Sequence, residues 1–327
     1  MPLVKECSYK APFWFPGGNV QTFVSRLVCF VPNVSFEREQ LELADGDFLL
    51  VDWAYASGDA AKPSRNLVIL SHGLEGDSSR SYMRAMAVVM LRRGWDVLAR
   101  NFRGCGGPMN RLPTMYHSGD TADLRVVANH AVMRGYASIS LVGFSMGANQ
   151  LLMHLGKEAE DVLPCVVRAV AVSVPCDLAE SSAELARFRN RIYMEYFLRT
   201  LRSKVREKHS LFPDLFPLAG LDAMRTFKEF DDRFTAPLGG FASAEDYWEK
   251  ASSLPYLARV QIPTLILNAA NDPFLGEKSY PVEDALVNPS LYLMIPEHGG
   301  HVGFPSWGGK SVGWLENTVA DFLTETL

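Results

Sequence analysis

The amino-acid sequence predicts an α/β fold in which a mainly parallel central sheet carries helices on both faces. Three observations lead to this prediction. Short apolar runs rich in β-branched residues alternate with segments of helical periodicity along most of the chain. Of the 327 residues, 48% are hydrophobic and 21% are charged, a composition that suits a large soluble core. One apolar run, Ile139 to Val142, leads directly into the pentapeptide GFSMG and then into a helix-like segment.

The first half of the chain is expected to form a hairpin followed by alternating strands and helices. Residues before position 36 are predicted to be an irregular arm, with the apolar segment Phe23 to Val34 packed over the first strands. Phe36 to Leu43 and Phe48 to Tyr55 flank Asp45-Gly46, which is typical of an antiparallel hairpin. The next predicted elements are a strand Asn66 to Leu70, a helix Tyr82 to Arg93, a strand Trp95 to Phe102 and a helix that ends near Met133.

The second half contains further strands and one long helical insertion. Its predicted strands are Val166 to Val174, Pro263 to Ala269 and Leu291 to Ile295, and Ser311 to Leu327 is a closing helix. Residues 178–255 are helical and aromatic in pattern, which predicts a helical cap over the carboxyl ends of the strands. We therefore expect residues 1–177 to hold the arm and the first part of the core, residues 178–255 the cap, and residues 256–327 the remainder of the core.

The pentapeptide Gly143 to Gly147 fits the G-x-S-x-G pattern between a predicted strand and a predicted helix. In that context the serine lies on a strained turn that presents its hydroxyl above the sheet, and the glycines avoid collisions with neighbouring elements. Ser145 is therefore the candidate nucleophile. Gly309 to Gly313 has the same spacing but no preceding strand, so Ser311 is expected to cap the last helix.

A serine nucleophile needs a base to take its proton and an acid to orient that base. The chain has seven histidines, and His301 follows the last predicted strand in a flexible glycine-rich loop that returns towards Ser145. His298 in the same loop is the alternative base. Asp272 follows the preceding strand and is the candidate acid, with Asp177, after the strand before that, as the alternative.

Acyl transfer also requires donors for the negative oxygen that develops on the attacked carbonyl. The backbone N–H of Met146, directly after the candidate nucleophile, is one expected donor, and the N–H of Leu74 in the turn after Asn66 to Leu70 is the other. Arg103 and Asp120, in loops near the same edge of the sheet, are expected to form a structural ion pair.

Composition argues against several other classes of function. A net charge of −5 provides no basic field for nucleic acid. The five cysteines are scattered, no signal-length or membrane-spanning apolar run occurs, and a cytoplasmic protein with free thiols is expected. The segment Gly308 to Ser311 lacks the first glycine and the preceding strand of a phosphate-binding loop. No cofactor and no metal site are expected, and a chelator should leave any activity intact.

Seven motifs occur in a fixed order, namely His72 to Gly76, Asn101 to Cys105, His117 to Thr121, Gly143 to Gly147, Phe230 to Asp232, Asn271 to Phe274 and Glu297 to Phe304. Together they resemble the YheT-like branch of the α/β-hydrolases, and the similarity runs from about Pro12 to the C-terminus. The resemblance implies an α/β-hydrolase fold and carboxylic-ester hydrolase activity, with Ser145, Asp272 and His301 on the positions of the catalytic triad. The chain order serine, aspartate, histidine agrees with this family. Its membrane-anchored animal relatives act on lipid esters, including phospholipids, and no such N-terminal anchor is expected here.

The resulting hypothesis is a cofactor-independent serine hydrolase that cleaves carboxylic esters through an acyl-enzyme on Ser145. The apolar cap predicts a short or medium aliphatic acyl group on a small-molecule or lipid ester. One alternative is transfer of the acyl group to an alcohol. Another is a lipid-binding protein at a membrane surface, suggested by a basic run that is otherwise typical of a solvated helix face. The run comprises Arg187, Arg189, Arg191, Arg199, Arg202, Lys204, Arg206 and Lys208.

Overall fold

An eight-stranded sheet forms the centre of the fold in a computed structural model that describes residues 3–4, 7–28, 33–306 and 313–324. Its strands in this part of the chain are β1 (Glu37–Glu42), β2 (Phe48–Ala54), β3 (Asn66–Ser71), β4 (Asp96–Arg100), β5 (Ser138–Phe144), β6 (Val166–Val172), β7 (Thr264–Leu267) and β8 (Leu291–Met294). Their order across the sheet is β1-β2-β4-β3-β5-β6-β7-β8. The predicted mainly parallel sheet is confirmed.

Strand direction sets where ligands can bind. β2 is antiparallel to both β1 and β4, and the other six strands, β3 to β8, are parallel to one another. β3 lies between β4 and β5, so the chain builds outward from β3 in both directions. The loops that follow β3 and β5 therefore meet at the carboxyl edge of the sheet, where open α/β sheets bind ligands.

Helices cover both faces of the sheet, as predicted. The α-helices of the described residues are α1 (Gly17–Val28), α2 (Ser81–Arg92), α3 (Ala122–Met133), α4 (Met146–Lys157), α5 (Leu178–Ala186), α6 (Arg191–Leu211), α7 (Phe227–Phe230), α8 (Ala236–Leu238), α9 (Ala244–Ala251), α10 (Val282–Val287) and α11 (Trp314–Thr324). Alternation along β3 shows how the layers form. Leu67 and Ile69 join the core beneath α3 and α4, whereas Val68 and Leu70 join the core beneath α2 and α11.

Helices α5 to α9 lie between β6 and β7, and no strand occurs there among the described residues. The residues Asp231–Thr235 join α7 to α8 as a π-helical turn. These helices share an apolar cluster of their own, which includes Phe216 and Phe230 and also contacts Leu74 and Phe274 from the loops after β3 and β7. Helices α5 to α9 therefore lie over the carboxyl edge of the sheet, and we call them the cap helices.

The prediction of an irregular N-terminal arm was wrong, because residues from Gly17 form helix α1. Phe23, at one end of the segment expected over the first strands, contacts Tyr193 of α6 (ring centroids 5.4 Å apart), whereas Val34, at the other end, belongs to the same apolar cluster as Ala54 of β2. Residues 29–32 of that segment lie outside the described residues. The closing helix begins at Trp314 in the described part of the chain, and the predicted cap Ser311 lies outside it. Within the described ranges, every helix is too short or too polar to cross a membrane.

Candidate active site

Ser145 lies on the turn between β5 and α4 with a strained backbone. Its φ of 53° and ψ of −118° fall in a region that residues other than glycine rarely adopt, and its N–H donates to the carbonyl of Val172 (2.9 Å). A Cβ at Gly143 would lie 2.5 Å from the carbonyl oxygen of Gly147. A Cβ at Gly147 would collide with the carbonyl oxygen of His72. Both glycines are needed because β3, β5 and α4 approach closely here.

The structure brings three of the candidate site residues into one hydrogen-bonded chain. The Ser145 hydroxyl oxygen is 2.9 Å from His301 Nε2, and His301 Nδ1 is 2.8 Å from Asp272 Oδ2. The second carboxylate oxygen of Asp272 accepts the N–H of Phe274 (2.9 Å), whose ring lies against the imidazole. Because Nδ1–H faces the carboxylate, Nε2 is left as the acceptor of the serine proton.

The two alternatives from the sequence lie elsewhere. Asp177 is the N-cap of α5, where it accepts the N–H of Glu180 (2.8 Å) and pairs with Lys278. The side chain of His298 is 47% exposed and lies nearest to Asn271 and Glu297, 3.4 and 3.8 Å away. Neither residue joins the chain formed by the other three side chains.

The loop that carries His301 is pinned, in contrast to the flexible loop expected from its glycines. Four consecutive backbone N–H groups, those of residues 299–302, each donate to a side chain of another segment. The acceptors are, in order, Gln21 Oε1 (2.8 Å), Asn271 Oδ1 (2.9 Å), Thr22 Oγ1 (2.8 Å) and Ser173 Oγ (2.9 Å). These bonds hold a loop in which Gly300, Val302 and Phe304 all have positive φ.

Gln21 and Thr22 of α1 are therefore part of the site, and sequence reasoning missed them. Both side chains are buried although both are polar. A signal was present in the pair Gly17-Gly18, which begins helix α1 and lets it approach the loops after β7 and β8. A Cβ at Gly18 would collide with the carbonyl of Asn271.

The turn after β3 lies beside Ser145. A Cβ at Gly73 would be 3.2 Å from the Cβ of Ser145, and the N–H of Gly73 donates to the Tyr82 hydroxyl (3.0 Å). His72 is fully buried, and burial lowers its pKa to about 3. The neutral ring donates from Nδ1 to the carbonyl of Gly73 (2.7 Å) and accepts the N–H of Phe102 at Nε2 (3.1 Å). These two hydrogen bonds link the turn at Gly73 to the segment after β4.

Leu74 and Met146, the two expected oxyanion donors, line one cavity together with Ser145 and His301. The empty space of this cavity is about 870 Å³, a volume that includes open solvent. Its walls are mainly apolar, and the cap helices contribute Leu185, Phe197, Leu201 and Phe227. The site therefore combines a candidate nucleophilic hydroxyl with an apolar pocket.

Asp231 is a polar exception in the wall of this cavity. Its carboxylate accepts the Thr235 hydroxyl (2.6 Å) and the indole N–H of Trp248 (2.9 Å). Burial raises the pKa of Asp231 to about 6. The carboxylate also links the π-helical turn to α9.

Two charge assignments from the sequence need correction. Arg103 pairs with Asp123 (2.8 Å) and Asp45 (2.6 Å), not with Asp120. The basic run, which lies mainly in α6, is not a uniformly solvated face, because its side chains at 202, 204 and 208 are buried. The reason in both cases is tertiary packing, which brings partners from distant segments.

Candidate metal ligands do not cluster in the described residues. No group of three or more histidine, cysteine, aspartate or glutamate side chains there is arranged to hold a metal ion. The cysteines in those ranges, at positions 7, 105, 165 and 176, are free thiols.

Comparison with known proteins shows which family this chain resembles. Residues 66–306 match the family model described as alpha/beta hydrolase fold. The chain is 37% identical to YheT of Escherichia coli (strain K12), over 96% of this chain and 92% of that protein. It is 30% identical to phospholipase ABHD3 of Mus musculus, over 93% of this chain and 74% of that protein.

A solved structure has the same fold at low sequence identity. The Pyrococcus furiosus esterase Pf2001 aligns with a TM-score of 0.60 and 19% identity, over 90% of this chain and 94% of that one. The family model and the identity to YheT extend the likeness over most of the sequence. The chain therefore belongs to the α/β-hydrolase family, in its YheT-like branch.

Proposed function

We propose that this protein is a serine esterase that hydrolyses carboxylic esters through an acyl-enzyme on Ser145. The observation that supports this most strongly is the hydrogen-bonded chain from Ser145 through His301 to Asp272. Each link is of hydrogen-bond length, and each side chain is of the type that the chemistry requires at its position.

In the proposed mechanism, Ser145 Oγ attacks the ester carbonyl while His301 Nε2 takes the hydroxyl proton. Asp272 keeps Nδ1–H in place and stabilises the positive imidazole that forms. The N–H groups of Leu74 and Met146 donate to the developing oxyanion. His301 then gives the proton to the leaving alcohol. Water, activated by the same histidine, attacks the acyl-enzyme, and Ser145 regains its proton as the carboxylic acid departs.

The apolar cavity supports a short- or medium-chain aliphatic acyl group as the preferred one. Aromatic and aliphatic side chains of the cap helices and of the loop after β7 surround it. Burial of each methylene contributes about 0.8 kcal/mol, so chain length should affect turnover strongly until the cavity is full. The name phospholipase, carried by the mouse relative, extends the proposed substrates to lipid esters.

A role at a lipid surface is the second candidate, and one observation favours it. Phe188, in the turn before α6, and Ile192, in its first turn, are 77% and 62% exposed, and Phe23 of α1 is 43% exposed. The guanidinium of Arg191 lies over the ring of Phe188 (4.4 Å). Exposed aromatic and basic side chains suit contact with anionic membranes. Vesicle binding that survives Ser145→Ala would support this role independently of catalysis.

The proposed function is tested with a series of p-nitrophenyl esters, from acetyl to dodecanoyl, on wild type and Ser145→Ala purified in parallel. We expect kcat/KM to peak at one chain length in wild type and to be lost in the variant. Equal inertness of both proteins across the series would contradict the esterase proposal. A product ester formed when an alcohol is added would indicate acyl transfer instead of hydrolysis.

A further inference from the structure

Two lysines of the basic run extend from cap helix α6 into the core rather than into solvent. Lys204 and Lys208 are one helical turn apart, and both are buried. Lys208 Nζ donates to the carbonyls of Asn110 (3.2 Å) and Leu112, so its partners are neutral. Lys204 has a different partner, which lies next to the candidate oxyanion turn.

Lys204 forms a buried ion pair with Glu75. Its Nζ is 2.8 Å from Glu75 Oε1, and the two side chains are only 8% and 7% exposed. Nζ also lies 3.1 Å from Cys105 Sγ and above the ring of Tyr116. Burial lowers the pKa of Lys204, but the adjacent Cys105 and Glu75 raise it by more, so the net pKa is above its ordinary value and the amine stays charged.

Glu75 directly follows Leu74 and holds the turn in a strained conformation. Its φ of 54° lies in the left-handed region, which a glutamate adopts only when its surroundings impose it. Tyr116 imposes it twice, since its hydroxyl accepts the N–H of Glu75 (3.0 Å) and donates to the carboxylate. Arg80 donates to the carbonyl of Glu75 (2.8 Å). Together with the bonds to Gly73, these contacts fix the residues on both sides of Leu74.

We propose that Lys204 is a positioning residue that couples the docking of cap helix α6 to the alignment of the Leu74 N–H beside Ser145. The oxyanion site is then complete only while α6 lies on the core. Without the ammonium group, the Glu75 carboxylate is buried with no counter-charge, a costly arrangement that the turn relieves by moving. The inference rests on the proposed esterase function, because it assigns Lys204 a part in the same reaction.

Lys208 provides a matched control. It is on the same helix and is also buried, and replacing it with methionine likewise removes a buried amine. Its carbonyl partners at 110 and 112 do not line the cavity. Lys204→Met and Lys208→Met therefore perturb the packing of α6 similarly, but only Lys204→Met affects Glu75.

The experiment compares wild type, K204M, K208M and the double variant E75Q/K204M on the best p-nitrophenyl ester. Inhibition by a trifluoromethyl ketone of the same chain length is measured as well, because its hemiketal anion needs the oxyanion donors. Loss of one such donor costs about 10²–10³ in kcat, so a displaced donor should cost K204M about tenfold or more. We expect KM to stay within about twofold and the ketone to bind more weakly by the factor lost in kcat.

K208M should stay within about threefold of wild type in kcat, KM and ketone inhibition. E75Q/K204M should recover part of the lost kcat, since no unpaired charge remains, and it replaces K204M in the comparison if K204M does not fold. Equal effects of K204M and K208M, or a K204M effect confined to KM, would overturn the inference while leaving the esterase proposal intact. An inert wild type would overturn the esterase proposal and this inference with it.

Discussion

Thr22 offers a test of how the histidine loop is held. Its hydroxyl accepts the backbone N–H of His301 (2.8 Å) and donates to the carbonyl of Gly18 (2.7 Å), and the side chain is fully buried. Thr22→Val keeps the shape but removes the acceptor. Thr22→Ser keeps the hydroxyl and removes one methyl group, so it is the matched control.

The expected size of the effect follows from the partners that are lost. In Thr22→Val the N–H of His301 is left buried without an acceptor, which costs about 1–3 kcal/mol. The carbonyl of Gly18 is within α1 and keeps a helical partner. Relaxation of the loop changes the distance and angle between Ser145 Oγ and His301 Nε2, and small misplacements of catalytic groups are costly. We therefore expect kcat to fall about tenfold or more, whereas Thr22→Ser should lose about 1 kcal/mol of stability and little activity.

Urea unfolding and ester turnover of both variants give the two quantities directly. The free energy of unfolding should be lower by about 1–3 kcal/mol in Thr22→Val, with kcat reduced and KM nearly unchanged. If Thr22→Val and Thr22→Ser had the same kcat, the bond from α1 would not be what orients the histidine loop.

Three further predictions follow. Gly147→Ala should lower the free energy of unfolding by about 1–3 kcal/mol, because the new Cβ would lie 2.6 Å from the carbonyl oxygen of Ser71. Urea unfolding should show a smaller loss for Gly135→Ala, where the φ of 91° strains an alanine but no atom lies within 4 Å of the new Cβ. His72 is neutral in the fold with a pKa of about 3, and the unfolded chain takes up that proton near pH 6.5. Stability should therefore fall as pH decreases from about 6.5 towards 3, and His72→Gln should show a shallower dependence in urea titrations at pH 7, 6, 5 and 4. Dialysis against a chelator should leave ester turnover unchanged, and a loss restored by added metal would contradict a metal-independent mechanism.

The features that were predictable from the sequence are encoded locally. The strand, the turn at Ser145 and helix α4 are contiguous, so periodicity and two glycines were enough to identify them. Asp272 and His301 each follow a strand, and parallel strands bring their carboxyl ends to one edge. The same logic named Leu74, which follows β3 and lies in the same cavity.

The features that were missed depend on contacts between distant segments. Helix α1 supports the histidine loop across about 280 positions of sequence, through polar side chains that no local pattern distinguishes from exposed ones. Lys204 and Lys208 lie at helical spacing from the buried Phe197 and Leu201, whereas Arg199 and Arg206 lie on the exposed face of the same helix. Periodicity therefore indicates that the two lysines face the core, but it does not give their partners, because Glu75, Asn110 and Leu112 belong to distant segments of the chain.

Identification of the residue that reacts with a fluorophosphonate tests the central claim most directly. After reaction of the whole protein, intact mass gives the stoichiometry and peptide mass spectrometry gives the modified residue. The account predicts one adduct per chain, on Ser145, with no labelling of Ser145→Ala and at least about 100-fold slower labelling of His301→Ala. An unlabelled wild type, or an adduct on Ser311 in the second G-x-S-x-G sequence, would contradict it.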